Sequence, residues 1–189
     1  MIQKNYQREH VRAPFNDKMF FKDQDYVYKA KIKNISSGGL LLSEIPFFPK
    51  NDQVQVFFYL PKSFYWENAD IHEMKKYLNL NRRGHIIQTS VTFVREEEKQ
   101  FSIEDIFQKN FGLKFLALNP QDKLHLEDYA QKFKRNLSVL SLWFEMMNEK
   151  KNEYVLRFHL LSKILGYNWK SKSESEIRDL IHHDLNDFQ

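Results

Sequence analysis

Between Tyr26 and Lys33 the chain alternates with a period of two. Tyr26, Tyr28, Ala30 and Ile32 are set on one face, and Val27, Lys29, Lys31 and Lys33 on the other, the pattern of a half-buried strand. The same alternation puts Val54, Val56, Phe58 and Leu60 on one side of a strand from Gln53 to Leu60. It also puts Ile87, Thr89, Val91 and Phe93 on one side of a longer strand from His85 to Arg95. Further strands are expected at about 13–21, Leu40–Glu44 and Phe111–Leu118. Pro14 discourages helix at Ala13, so the polar residues 1–12 read as an extended arm entering the first strand. Pro46, Pro49, Asn51 and Asp52 mark a loop. Alternation is lost over 62–84, where Ala69 to Leu80 reads as a short helix or an inserted loop. The charged run Glu96–Gln100 ends the His85–Arg95 strand, and Ser102 with Asp105 three residues later has the form of a capping box for a short helix.

The period changes at Asn119-Pro120. Leu126, Ala130, Phe133, Leu137, Leu140, Phe144 and Met147 then follow at spacings of four, three, four, three, four and three, a heptad-like stripe on one helix. Such a stripe either packs back on the strands, the commoner fate, or pairs with the same helix of another subunit to make a homodimer. The bulk of Trp143 and Phe144 favours the first. A second helix is expected over Asn152–Leu165, stopping at Gly166. A third follows the polar break Ser171–Ser175 and covers Ser175 to Phe188. The order is five or six strands in antiparallel style, then a helical tail.

Composition narrows the function. A 42% hydrophobic fraction with 17 phenylalanines and 9 tyrosines suffices for a core and excludes a disordered chain. Lys and Arg number 29 against 25 Asp and Glu, a net charge of +4. That is compatible with an anionic ligand and too small to indicate a nucleic-acid binder without a clustered patch. The absence of cysteine removes disulfides, thiolate nucleophiles and Cys-based metal sites. No apolar h-region opens the chain and no window approaches the ~20 apolar residues of a membrane span, so a cytoplasmic location is expected. His10, His72, His85, His125, His159, His182 and His183 match no metal-ligand spacing. No G-x-S-x-G, Walker-type or dinucleotide glycine pattern is present, so no enzyme activity, metal or cofactor is expected.

The candidate chemistry lies at two places. Arg8 and Arg12 carry planar, permanently charged forks suited to bidentate phosphate binding and to stacking on flat rings. Between two strands, Asn34-Ile35-Ser36-Ser37-Gly38-Gly39 forms a small polar turn. Its glycines permit positive φ and close backbone approach, its successive N–H groups suit an anion nest, and Asn34 and Ser36 add an amide and a hydroxyl. An anionic, flat, guanine-bearing ligand would use all of these together.

Arg8-x-x-x-Arg12 followed by Asn34-x-Ser36-x-x-Gly39 resembles the paired RxxxR and (D/N)xSxxG signature of PilZ domains. Gly112-Leu113-Lys114-Phe115 is similar to the glycine-x-x-phenylalanine of that family's last barrel strand. The resemblance covers about residues 4–125. It implies a flexible arm over 1–12, a small antiparallel β-barrel of about six strands over 13–120 and two to three helices over 121–189. It further implies a non-catalytic receptor for cyclic di-GMP, in which Arg8 and Arg12 grip phosphates and guanine, Asn34 and Ser36 contact a guanine, and Gly39 keeps the turn open. Asn34 stands where aspartate is common, which removes one negative charge from a site for a dianion. The arm is expected to be mobile until ligand orders it, passing the signal to an unknown effector protein in motility, adhesion or biofilm control.

Two other readings stand beside it. One is a PilZ-like scaffold that works by protein contact without the nucleotide. The other is a basic barrel binding single-stranded RNA, which needs surface aromatics interleaved with Lys or Arg. Tyr26-x-Tyr28 beside Lys29, Lys31 and Lys33 comes nearest, but its tyrosines are expected to face inward, so no nucleic-acid polymer is expected as a partner.

Overall fold

The computed structural model describes residues 10–45, 49–80, 84–94, 111–147 and 152–186. Its strands are β1 (Ala13–Asp23), β2 (Tyr26–Ile35), β3 (Gly39–Glu44), β4 (Gln53–Pro61), β5 (Gly84–Val94) and β6 (Phe111–Phe115). Helix α1 (Ile71–Asn79) lies between β4 and β5, and α2 (Pro120–Met147), α3 (Asn152–Leu165) and α4 (Glu174–Asn186) follow β6. The strands close a six-membered antiparallel barrel in the order β1-β2-β3-β6-β5-β4. The fold is a small antiparallel β-barrel followed by a helical tail.

Alternation selects what fills the barrel. Met19 and Phe21 of β1, Ile32 of β2, Leu42 of β3, Val56 of β4 and Ile87 and Val91 of β5 are all fully buried. Each large apolar side chain so buried contributes about 1.5–3 kcal/mol. Three register shifts interrupt the pairing of β2, one beside β1 and two beside β3, and two of them flank the 34–39 turn. Beside β1 the register passes from Pro14↔Asn34 to Asp17↔Ile32, and beside β3 from Ile32↔Leu42 to Asn34↔Leu41. These bulges sit next to the 34–39 turn, where local twist re-aims side chains. At the other end of the hairpin, buried Asp23 accepts bonds from the Lys50 amide at 3.0 Å and Asn51 Nδ2 at 2.7 Å.

One expectation about β2 fails at its start. Tyr26 is 66% exposed rather than turned into the core, while Tyr28 packs on Phe21 with ring centroids 5.5 Å apart. The cause is the length of the β1–β2 hairpin. Pairing of β2 with β3 stops at Lys31↔Glu44, whereas β1 and β2 continue to Asp23↔Tyr26, so the start of β2 has a strand on one side only. Strand β6 is also shorter than expected, ending at Phe115; Leu116 is exposed and the Ala117 carbonyl accepts Thr89 Oγ1. The short helix expected near Ser102 and Asp105 lies outside the described residues.

The ambiguous segment 62–80 resolves into an aromatic loop and α1. Asp70 and Glu73 cap α1 reciprocally, each side chain bonding the other's backbone N–H, at 2.7 and 3.1 Å. Trp66, buried in this loop, meets Tyr77 edge-on at 4.9 Å. The loop is clamped to the tail by Asn136 of α2, a buried polar residue. Its Oδ1 accepts the Trp66 amide at 2.9 Å and its Nδ2 donates to the Phe64 carbonyl at 2.7 Å.

The α2 stripe is buried from Leu126 through Phe144, and Asn136, Val139 and Trp143 are buried beside it. It packs on α3, α4 and the start of β1, where Tyr129 meets Phe15 edge-on at 5.6 Å. Helix α3 ends at Gly166, whose φ of +86° is the left-handed C-terminal cap that glycine favours. Just beyond, the Tyr167 hydroxyl donates to Asp184 of α4. Burial, then that carboxylate, hold its pKa far above the usual tyrosine range.

Asn136→Ala leaves the Trp66 amide and Phe64 carbonyl without partners and is expected to cost about 2–3 kcal/mol in urea unfolding. Glu67→Ala removes an exposed pair with Arg135 and is expected to cost less than about 1 kcal/mol. Equal losses in the two variants would contradict the clamp.

Candidate functional site

The register Ala13↔Ile35 and Pro14↔Asn34 places residues 10–12 alongside residues 36–38. This brings Arg12, a residue of the arm, to the polar turn. Ala13 and Ile35 point into the barrel, whereas Arg12 is exposed and Asn34 half-buried. The site is therefore a shallow surface seat at the barrel mouth. Arg8, the other arginine of the arm, lies outside the described residues.

Ser36 is 5% exposed and organises the turn from within. Its hydroxyl accepts the amides of Gly38 at 3.3 Å and Gly39 at 3.2 Å and donates to the Gly39 carbonyl at 3.2 Å. Its own amide donates to the same carbonyl at 2.9 Å. The hydroxyl expected to read a guanine edge is thus engaged inside the loop. The Gly38 and Gly39 amides expected to form an anion nest converge on it. Neither glycine has a left-handed φ; among the described glycines only Gly166 does.

The two glycines are small for different reasons. A Cβ on Gly39 would stand 2.0 Å from the Leu113 carbonyl oxygen of β6, so Gly39 permits β3 and β6 to pair at Gly39↔Lys114. A Cβ on Gly38 would stand 2.2 Å from Cδ2 of His10, so the His10 ring lies directly on the turn. His10 Nδ1 is also 3.3 Å from Ser37 Oγ. His10 falls between Arg8 and Arg12, and sequence reasoning grouped it with the other histidines. Its place inside the arginine pair was the available signal.

What remains outward is cationic and polar. Arg12 and Asn34 face out, with Lys33 exposed next to Asn34 and Lys114 exposed opposite Gly39. Ser37 is half-buried under His10. Such a rim can hold an anion by charge and a planar group by the guanidinium face. Elsewhere, His85 Nε2 bonds buried Asp122 Oδ1 at 2.6 Å, and the His85 and His125 rings lie 4.6 Å apart. Asn119 holds the same aspartate with bonds of 2.8 and 2.9 Å, so the group anchors the start of α2 to β5. Among the described residues no cluster of three or more His, Cys, Asp or Glu side chains could hold a metal. Among them also, no helix is long and apolar enough to cross a membrane.

The architecture is thus a closed six-stranded antiparallel barrel with an arginine-bearing approach and a serine–glycine turn at its mouth. The family model of the PilZ domain matches residues 6–132, more than half of the chain, and the chain belongs to the PilZ family. Three solved structures illustrate the likeness. The Bacillus subtilis inhibitor of motility, MotI/DgrA, is 14% identical over 69% of this chain and 52% of its own, with a TM-score of 0.50. The PilZ domain of Escherichia coli YcgR, solved with cyclic di-GMP, is 12% identical over 77% and 98%, with a TM-score of 0.38. Borreliella burgdorferi PlzA, in complex with cyclic di-GMP, is 18% identical over 66% and 41%, with a TM-score of 0.35. The chain spans about half the length of MotI. No curated protein matches it.

Gly39→Ala is expected to lower stability by about 3 kcal/mol, the upper part of the overpacking range, because its neighbour is backbone and cannot turn aside. Gly38→Ala meets only a side chain; it should fold normally and release the His10 ring, read as a shift of its imidazole NMR signals. An equal thermal destabilisation by both would show that the glycines do not divide the work in this way.

Proposed function

We propose that this chain is a cyclic di-GMP receptor without catalytic activity that works in the cytoplasm. PilZ is a ligand-binding receptor family, and cyclic di-GMP is the dinucleotide held by the YcgR and PlzA structures. The single observation that carries the reading to this chain is the β1–β2 register, which seats Arg12 beside the Asn34–Gly39 turn. Arg8 and Arg12 then grip phosphates and stack on guanine, and the half-buried Asn34 amide meets a base edge. Ser36 and Gly39 act by holding the turn's shape, since one is bonded within it and the other touches β6.

Ligand binding closes the arm on the barrel and moves the His10 ring off Gly38. The change of surface is what an effector protein in motility, adhesion or biofilm control reads. The second reading, a scaffold that ignores the nucleotide, draws on the same contact: His10 already lies on the turn.

Isothermal titration with cyclic di-GMP decides between them. Wild type is expected to bind, and Arg8→Ala/Arg12→Ala to bind at least about 100-fold more weakly, from two or more charged hydrogen bonds lost. Equal affinity in the two would remove the arginines from the site. No binding by wild type would leave the scaffold.

A further inference from the structure

We propose that the outer face of β2–β1–β4–β5 is a second binding surface, which takes single-stranded nucleic acid. Strand register composes it. Gln88, Phe57, Phe20 and Lys29 stand side by side across the four strands, and Ser90, Gln55, Lys22 and Val27 form the next row. Lys18 stands opposite Lys31 in the row beyond. All alternate with buried residues such as Met19, Phe21, Ala30, Val56 and Phe58, so they point away from the interior. Phe20 is 46% exposed and Val27 63%. The face is open at Phe20, Val27 and Ile86, and α2 meets the barrel elsewhere, at Phe15 and at His85.

Charge is segregated on the same surface. Lys18, Lys22, Lys29, Lys31 and Lys33 occupy its outward positions, and no Asp or Glu alternates with them between Lys18 and Lys22 or between Val27 and Lys33. Outward residues of β4 and β5 carry no charge, since His85 shares the face of buried Leu60 and Ile87. The acidic neighbours are marginal. Asp17 lies at the bulge, Asp25 at the hairpin tip, Glu44 ends β3 opposite Lys31, and Asp23 is buried and bonded to Lys50 and Asn51. The lysines of this face alone exceed the chain's net charge of +4. Lys29, Lys31 and Lys33 recur at every second residue of an extended strand, about 7 Å apart. A hollow of about 480 Å³ opens beside Lys18, Lys29 and Lys31.

A lysine face alone is ordinary solvated surface, and one exposed phenylalanine needs no explanation. Their interleaving gives each nucleotide two partners at once, a cation for its phosphate and a ring for its base. An anionic bilayer fits less well, because the tip that would enter it carries exposed Asp25.

The test is fluorescence anisotropy with a labelled oligouridylate of about 20 nucleotides, longer than the roughly 4–16 that a single barrel covers. Wild type is expected to bind with a log–log salt slope of about −3, the value for four or five phosphate contacts on a single strand. Phe20→Ala, at an exposed position that should not affect folding, weakens binding about tenfold by losing a stacked base and keeps the slope. Lys22→Glu/Lys29→Glu weakens binding and flattens the slope. Lys123→Glu/Lys170→Glu, the same change of charge on the helical tail, binds as wild type. Four results would each overturn the proposal: no binding by wild type at low salt, unchanged binding by Phe20→Ala, equal weakening by the tail variant, or co-sedimentation with phosphatidylglycerol vesicles without oligonucleotide binding.

Discussion

Pairing of β3 with β6 closes the barrel, and the rest of the molecule depends on that closure. It requires the backbone of β6 to pass within contact of Gly39, where a Cβ would overlap the Leu113 carbonyl. Gly38 supplies a second link, its carbonyl accepting the Phe115 amide at 3.1 Å. The turn before β3 is thereby held between β6 on one side and the approach to β1 on the other. His10 meets Ser37 and Gly38, and Arg12 lies alongside the turn, because the closed sheet holds the 34–39 turn next to the approach to β1.

Closure also divides the turn's residues by role. Ser36 and Gly39 face inward and sustain its shape, a fully satisfied buried hydroxyl and a missing side chain. Arg12, Asn34 and Ser37, with His10 above, make the surface. A polar group already bonded inside a loop contributes to ligand binding by preorganisation, which lowers the ordering cost on association. The inward residues are in this sense as necessary to the seat as the outward ones, although a ligand would touch them less.

The tail is not an appendage hung on a finished barrel. The loop leaving β4 delivers Trp66 and Phe64 to Asn136 of α2, and the guanidinium of Arg157 on α3 reaches the Ala69 carbonyl at 2.7 Å. Barrel and helices share one continuous core. A change at the barrel mouth can therefore reach α2 through β1, whose Phe15 packs on Tyr129.

Most elements were legible in the sequence because their signals are local. Period-two runs marked β2, β4 and β5, the four-three stripe marked α2, and Gly166 marked the end of α3. The residue types of the candidate site were legible too, since Arg12, Asn34, Ser36 and Gly39 carry their chemistry wherever they stand. What they do was decided only by tertiary structure. That Tyr26 faces water depends on where β3 stops pairing with β2. That Gly39 serves strand closure depends on β6, which follows it by more than 70 residues. That His10 covers Gly38, and that Phe20, Phe57 and Lys29 form one row, depends on strand register. Periodicity states which face a side chain takes within its own strand, whereas register and closure set its neighbours, and those are fixed between segments distant in the chain.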